Sequence, residues 1–206
     1  MSTQGSKLDS CDVSRETIHR IEVFERVLRK WNPRINLVSA SSMNDLWSRH
    51  ILDSIQVYRC GGPVNHWVDM GTGGGFPGLI AALVAADEAP EVKFTLIESD
   101  QRKAAFLRTA ARETGISCEI IAERIEEVEP LSADIVSARA LTDLSGLLYF
   151  TERHLGRDGF ALLPKGATWK SEVAAAQETW RFRYDPITSV TDPQAVILKI
   201  EGASLV

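Results

Sequence analysis

The sequence has little cysteine, no excess of positive charge and no long apolar run. Its three cysteines, Cys11, Cys60 and Cys118, are odd in number, far apart and without Cys-x-x-Cys spacing, so they predict neither a disulfide framework nor a zinc site. No apolar run approaches the roughly 18 residues of a membrane helix, and the polar N-terminal segment lacks the pattern of an export signal. We therefore expect a cytoplasmic protein without a membrane segment or a bound metal.

The charge balance is negative, with a formal net charge of -5 at pH 7. This balance argues against a protein that coats naked nucleic acid through a bulk positive field, although a local basic group can still contact RNA. Hydrophobic residues make up 44% and charged residues 25%, as in an average globular protein. The 206 residues suit one domain with an appendage.

The first sixty residues have helical periodicity. Apolar side chains recur every three or four positions over residues 17–31 and again over residues 43–58, which predicts two amphipathic helices. Ser14 is the expected N-cap of the first helix. We expect an N-terminal helical extension, residues 1–62, in front of a second unit, residues 63–206.

From residue 66 onward, short apolar runs alternate with amphipathic segments, which is typical of βαβ units on a parallel sheet. Strands are predicted at 66–70, 93–98, 118–122, 134–138, 159–164 and 195–200, with a weaker one at 183–190; helices are predicted at 77–86, 100–114, 143–155 and 168–179. A short polar segment with Pro193 joins the last two strands and favours an antiparallel hairpin at the sheet edge. The pattern predicts an α/β fold with a seven-stranded, mostly parallel sheet.

Glycine is concentrated in one loop. Four of the five residues from 71 to 75 are glycine, and they join the first strand to a helix that has Pro77 in its first turn. A ligand can approach such a main chain closely, and we expect Gly71, Gly73 and Gly75 to contact it. Glu98 ends the next strand, about 20 residues further on, where it can accept hydrogen bonds from ribose hydroxyls. The loop and the acid together predict an adenosyl ligand.

Two cofactors fit this arrangement. The glycines at positions 73, 75 and 78 satisfy G-x-G-x-x-G, the pattern of nicotinamide dinucleotide sites. Counted from Asp69, however, the segment is acid-x-Gly-x-Gly, and an acid there suits a cofactor with a free ammonium better than a pyrophosphate. The spacing favours S-adenosylmethionine and leaves the dinucleotide as the alternative.

A linear series of motifs resembles one family, the ribosomal RNA small subunit methyltransferase G family, also called glucose-inhibited division protein B. The series extends over residues 24–200, and its motifs are WNPRINLV at 31–38, RHILDS at 49–54, DMGTGGGFPG at 69–78, IES at 97–99 with RKAAFL at 102–107, RIE at 124–126, SARA at 137–140 and LPKG at 163–166. Gly74 is a departure, because relatives often carry alanine or proline there. It should loosen the loop without altering its purpose.

The resemblance implies a Rossmann-like, class I S-adenosylmethionine-dependent methyltransferase that methylates N7 of one guanosine in 16S ribosomal RNA, within a small-subunit particle. It places cofactor contacts at Gly71, Phe76, Ile125, Glu126 and Arg139. Guanine N7 has a lone pair and no proton, so we assign no catalytic acid or base. A methyltransferase of the same fold acting on a small molecule or a protein is the alternative function.

Four cations are candidates for RNA contact. Arg29, Lys30 and Arg34 form a local basic group beside Trp31, and such a group can bind phosphate while the indole packs against the core. Lys165 follows the fifth strand and can reach phosphate or guanine O6. His50 lies near the apolar stripe of the second helix, where we expect a packed side chain rather than a catalyst.

Overall fold

The computed structural model describes residues 12–206, so Cys11 and the polar segment before it lie outside the described residues. Cys60 and Cys118 are free thiols. None of the helices that the structure describes combines the length and the apolar character needed to cross a membrane.

The elements are α1 Arg15–Ile35, α2 Ala40–Asn44, a π-helical turn Trp47–Ile51, α3 Leu52–Arg59, β1 His66–Met70, α4 Gly78–Glu88, β2 Lys93–Ile97, α5 Gln101–Thr114, β3 Glu119–Ile121, β4 Ala133–Ala138, α6 Leu144–His154, β5 Leu155–Lys165, α7 Trp169–Ala176, β6 Trp180–Thr188 and β7 Val196–Leu205.

The sheet has seven strands in the order β3-β2-β1-β4-β5-β7-β6. The first five strands pair in parallel, while β7 pairs antiparallel with both β5 and β6. The predicted mostly parallel sheet and its C-terminal hairpin are confirmed. Chain order reverses between β1 and β4, and in open α/β sheets a ligand binds at the carboxyl edge beside such a reversal.

Helices cover both faces of the sheet. Leu144, Leu147 and Val173 from α6 and α7 pack with Val68 and Met70 on one face. On the other face, α1, α4 and α5 enclose a cluster to which α1 contributes Ile21, Phe24 and Leu28, all three fully buried. The N-terminal helix therefore forms part of the main hydrophobic core.

Helix α1 begins as predicted and ends later. Ser14 is its N-cap, and its side chain accepts from Thr17 N at 3.0 Å. The predicted end at Trp31 is too early, because the helix continues through Pro33 to Ile35 and stops where Asn36 adopts the left-handed conformation. The Asn32 side chain accepts from Val38 N at 2.9 Å, which fixes the chain as it leaves the helix.

The second predicted helix, residues 43–58, is wrong as one continuous α-helix. It is divided into α2, the π-helical turn and α3. In the π-helical turn the Leu52 N–H donates to the Trp47 carbonyl, five residues back instead of four. Such wide turns occur often at functional sites. The turn contains Arg49 and His50, and His50 packs against the glycine loop.

Candidate cofactor site and the adjoining cavity

The glycine loop leaves β1 at the carboxyl edge of the sheet. Gly71, Gly73 and Gly75 have φ of 64°, 55° and 94°, values that side chains with a Cβ rarely adopt. Gly71 N–H donates to the Ile97 carbonyl at 2.9 Å, so the loop starts where β2 ends. This geometry requires the glycines at these three predicted positions.

Glu98 connects the loop to the end of β2. Its side chain is buried, with Oε2 accepting from Gly73 N at 2.8 Å and Oε1 accepting from Asp100 N at 2.8 Å. Each carboxylate oxygen can accept a further hydrogen bond. The predicted acid thus lies directly beside the glycine loop.

The side chain of Asp69, at the end of β1, is buried against Gly78. Its carboxylate is fully buried; Oδ1 accepts from Ser137 Oγ at 2.6 Å, and a Cβ on Gly78 would lie 2.6 Å from Oδ2. Burial raises the pKa of this carboxyl from 3.8 to about 6. The carboxylate therefore lies beneath the first turn of α4, and its expected role toward the ammonium of a cofactor stays a prediction.

Three side chains from different elements stack beside the loop. The ring of Phe76 is stacked with His50 at 5.0 Å between centroids, and the Arg139 guanidinium lies 5.1 Å from the Phe76 centroid. Neither ring nitrogen of His50 has a hydrogen-bond partner among residues 12–206. Burial, and then the positive charges of Arg139 and Arg49, lower the pKa of His50 to about 4. His50 is therefore neutral and packed at pH 7, in line with the packing role predicted for it.

Replacing Arg139 by methionine is expected to raise the pKa of His50, because it removes the larger of the two positive charges that lower it. NMR titration of the His50 ring in both proteins measures this shift. Arg124→Met is the matched control, since Arg124 is exposed and ion-paired with Glu126. A His50 pKa that is equal in wild type and Arg139→Met would contradict the predicted proximity.

The two residues predicted to edge an adenine follow β3. Ile125 is buried, whereas Glu126 is exposed and its Oε1 lies 2.6 Å from Arg124 Nε. Ile125 packs in the same core cluster as Met70 and Ile97, the last residues of β1 and β2. The segment after β3 therefore lies at the same edge of the sheet as the glycine loop.

A cavity of about 510 Å³ opens at the ends of β4 and β5. Ala140, with φ of 53°, turns the chain after β4, and the next residue, Leu141, covers Gly71: a Cβ on that glycine would lie 2.7 Å from Leu141 Cδ1. The polar residues that line the cavity include Asp53, Arg139, Thr142, Asp143, Lys165, Glu172 and Ser189. Because Arg139 lines the cavity and also contacts Phe76, the cavity adjoins the glycine loop.

The four cations predicted to contact RNA lie in three places. Arg29 forms an ion pair with Glu25 at 2.7 Å, and Lys165 lies in the cavity wall with its Nζ 2.8 Å from Glu172 Oε2. Lys30 and Arg34 are exposed on a groove of about 710 Å³ between α1 and α5. Arg102 and Arg112 line the same groove from α5, together with Glu113.

Sequence reasoning missed Asp53, Leu141 and Glu172 as parts of this region. Asp53 accepts from Ser189 Oγ at 3.1 Å and from Thr191 Oγ1, so its partners come from a segment more than a hundred residues further along the chain. Glu172 comes seven residues after Lys165 across a strand-to-helix turn, and no helical or strand period relates the two positions. Within the described part of the chain, no three His, Cys, Asp or Glu side chains converge on a possible metal position.

Comparison with known proteins gives the chain a clear set of relatives. The profile of the family described as rRNA small subunit methyltransferase G matches residues 17–197. Proteins named ribosomal RNA small subunit methyltransferase G are 60% identical in Ruegeria pomeroyi, over 96% of this chain and 97% of the relative, and 46% identical in Cereibacter sphaeroides strain ATCC 17029, over 97% of each chain.

Two solved structures with a similar fold are described as methyltransferases. A SAM-dependent methyltransferase from Aquifex aeolicus superimposes with a TM-score of 0.59 at 11% identity, covering 79% of this chain and 98% of that one. A ribosomal protein L11 methylase from Lactobacillus delbrueckii gives 0.57 at 16% identity, over 74% and 78%. The predicted Rossmann-like methyltransferase fold is confirmed. The antiparallel β7 between β5 and β6 also differs from the strand order 3-2-1-4-5-6 of dinucleotide-binding sheets.

Proposed function

Because the chain belongs to the rRNA small subunit methyltransferase G family, we propose that it transfers the methyl group of S-adenosylmethionine to N7 of one guanosine in 16S ribosomal RNA. The observation that carries the proposal is the position of the glycine loop, at the carboxyl edge of β1 and beside a cavity able to take a base. The substrate is the rRNA within a small-subunit particle, and the reaction takes place in the cytoplasm.

The residues at the loop fit the cofactor. Gly71, Gly73 and Gly75 leave the main chain open to its amino-acid end, and Glu98 can accept from the ribose hydroxyls through its remaining lone pairs. Phe76 and Arg139 close the side towards the cavity. Ile125 and Glu126 border the adenine: Ile125 supplies an apolar face, and Glu126 supplies an acceptor for the exocyclic amine.

Catalysis in this proposal depends on positioning. The bound cofactor supplies an electrophilic methyl group on a sulfonium. Guanine N7 needs no general base, because its lone pair is in the ring plane and carries no proton. The chain holds the base in the cavity beside the loop, excludes water with Leu141 and Phe76, and keeps Arg139 close to both ligands. In favourable systems such positioning lowers the barrier by about 7 to 11 kcal/mol.

The decisive experiment incubates the protein with labelled S-adenosylmethionine and small ribosomal subunits that lack the modification. Nuclease digestion and nucleoside mass analysis are expected to find 7-methylguanosine at one position of 16S rRNA. Protein that binds the cofactor and labels no nucleoside would contradict the proposed substrate and favour a methyltransferase acting on a small molecule or a protein. Free 16S rRNA and intact subunits, assayed side by side, identify the form that is recognised.

Lys30 and Arg34 are proposed to contact rRNA phosphates in the groove between α1 and α5. Leu37, three residues past Arg34, contacts Gly74, so this end of α1 lies beside the cofactor loop. Replacing Arg34 by alanine is expected to weaken rRNA binding equally for all RNA sequences. It should also make the slope of the logarithm of the association constant against the logarithm of the salt concentration shallower by about 1. Filter binding over a salt series measures both effects.

Arg15 is the matched control for Arg34. It is exposed at the opposite end of α1, roughly 28 Å away at 1.5 Å per residue. Arg15→Ala should leave the salt slope unchanged. Equal slopes for Arg34→Ala and wild type would remove the groove from the proposed RNA interface while leaving the cofactor site unaffected.

A further inference from the structure

An ion pair between a nearly buried lysine and a partly exposed glutamate forms part of the wall of the cavity beside the glycine loop. Lys165 ends β5, its side chain is only 8% exposed, and its Nζ lies 2.8 Å from Glu172 Oε2. The ammonium also donates to the Thr142 carbonyl at 3.2 Å. The second carboxylate oxygen, Glu172 Oε1, accepts only a long hydrogen bond of 3.3 Å from Thr168 Oγ1.

Followed from contact to contact, these groups are a donor, an acceptor and a second acceptor. The Lys165 ammonium comes first, then Glu172 Oε2 beside it, then Glu172 Oε1. Guanine has the complementary order along one edge: O6 accepts, N1–H donates and the N2 amino group donates. Since O6 and N1 are neighbouring ring positions, their partners must also lie side by side, as Nζ and Oε2 do here.

We propose that Lys165 and Glu172 together select guanine, with Lys165 donating to O6 and Glu172 accepting from N1–H and the N2 amine. This inference rests on the proposed function. When Lys165 and Glu172 bind the O6, N1 and N2 edge of guanine, N7 lies on the other side of O6 and is free to face the cofactor loop. Adenine is disfavoured at both positions, because its N6 amine would meet the ammonium and its unprotonated N1 would meet the carboxylate.

The other carboxylates that line the cavity accept hydrogen bonds from other groups. Asp53 accepts from the hydroxyls of Ser189 and Thr191, and Asp143 caps α6 by accepting from Gly146 N at 2.8 Å. Among the carboxylates that line this cavity, Glu172 alone has an ammonium within 4 Å. A buried donor and acceptor that remain unpaired with the wrong base are the means by which a polar site discriminates.

The test compares guanosine with inosine at the target position of 16S rRNA reconstituted into small-subunit particles. Inosine keeps O6 and N1–H and lacks the N2 amine, so it removes one contact to Glu172. We expect wild type to prefer guanosine over inosine in kcat/KM by about tenfold or more, the value of one hydrogen bond to a charged group. In Glu172→Gln this preference should fall to about one, because an amide N–H would face the N2 amine.

The guanosine-to-inosine ratio of kcat/KM distinguishes recognition of the base from a purely structural role of the ion pair. It compares two substrates of one preparation, so a smaller folded fraction does not alter it. Glu119→Gln is the matched control, because Glu119 pairs with Lys93 at 2.9 Å on β3 and β2, outside the cavity lining. Calorimetry with S-adenosylmethionine should give unchanged cofactor affinity in both variants.

A guanosine-to-inosine ratio in Glu172→Gln equal to that of wild type would overturn the inference. If Glu172→Gln does not fold, Glu172→Asp keeps the charge but withdraws the carboxylate, and its ratio should still fall several-fold; an unchanged ratio there overturns the inference equally. Wild type that forms no 7-methylguanosine would instead contradict the proposed function, so the two failures are distinguishable.

Discussion

Replacing Gly78 by alanine is expected to lower the free energy of unfolding by about 3 kcal/mol, the upper part of the range for overpacked cores. Gly78 is the first residue of α4, and a Cβ built on it would lie 2.3 Å from the Cβ of Asp69 on β1. The neighbouring atom belongs to a fully buried residue of the central strand, so it cannot move aside as the end of a flexible side chain could. Urea unfolding followed by circular dichroism measures the loss.

Gly166→Ala is the control for the change from glycine to alanine itself. Gly166 has no heavy atom within 4 Å of an added Cβ and does not have a positive φ, so its substitution should stay within about 0.5 kcal/mol of wild type. Equal stability of both variants would show that α4 can move away from β1. Such freedom would contradict the close helix–strand contact on which the position of the glycine loop depends.

Most of the fold could be predicted from the sequence, because the signals that specify it are local. The seven strands and the helices between them follow from short apolar runs and from caps. The structure has Ser14 as the N-cap of α1, as expected, and α5 lies between an Asp100 N-cap and a left-handed Gly115 C-cap. The division of the second helix was not predictable in this way. Its apolar residues keep helical spacing through the π-helical turn, and the contact of His50 in this turn with Phe76 is a tertiary contact that no local pattern shows.

The candidate site was only partly predictable. The glycines and Glu98 could be found because strand, loop, helix, strand and acid occur in a fixed order along the chain. The orientation of the Asp69 side chain could not be predicted, because it depends on a hydrogen bond from Ser137 of β4 and on the close approach of Gly78. Pairing of Lys165 with Glu172 is likewise a tertiary contact, between the last residue of β5 and a residue of α7.

Two buried groups near the cofactor loop are expected to change stability with pH in opposite directions. Asp69 has a pKa of about 6 in the folded protein and 3.8 ordinarily, so between these values the folded protein binds a proton that the unfolded chain releases. Its contribution to the free energy of unfolding therefore rises as pH falls from 6 to 4, by roughly 2 kcal/mol. Asp69→Asn should lose this gain relative to wild type.

His50 has the opposite effect over nearly the same range. Its pKa is about 4 in the folded protein and 6.5 ordinarily, so below pH 6.5 the unfolded chain binds a proton that the folded protein does not. Stability from this group is present above pH 6.5 and is lost as pH falls towards 4. His50→Gln should therefore gain stability relative to wild type as pH falls.

Urea unfolding of wild type, Asp69→Asn and His50→Gln at pH 7.5, 6.5, 5.5 and 4.5 tests both directions. The difference between each variant and wild type isolates one group, because the remaining titrating residues are common to both proteins. The two differences should diverge with opposite signs below pH 6.5. The double variant should keep the shape of the wild-type curve, since the two effects offset each other. Parallel curves for all four proteins would mean that neither group is held in its shifted state.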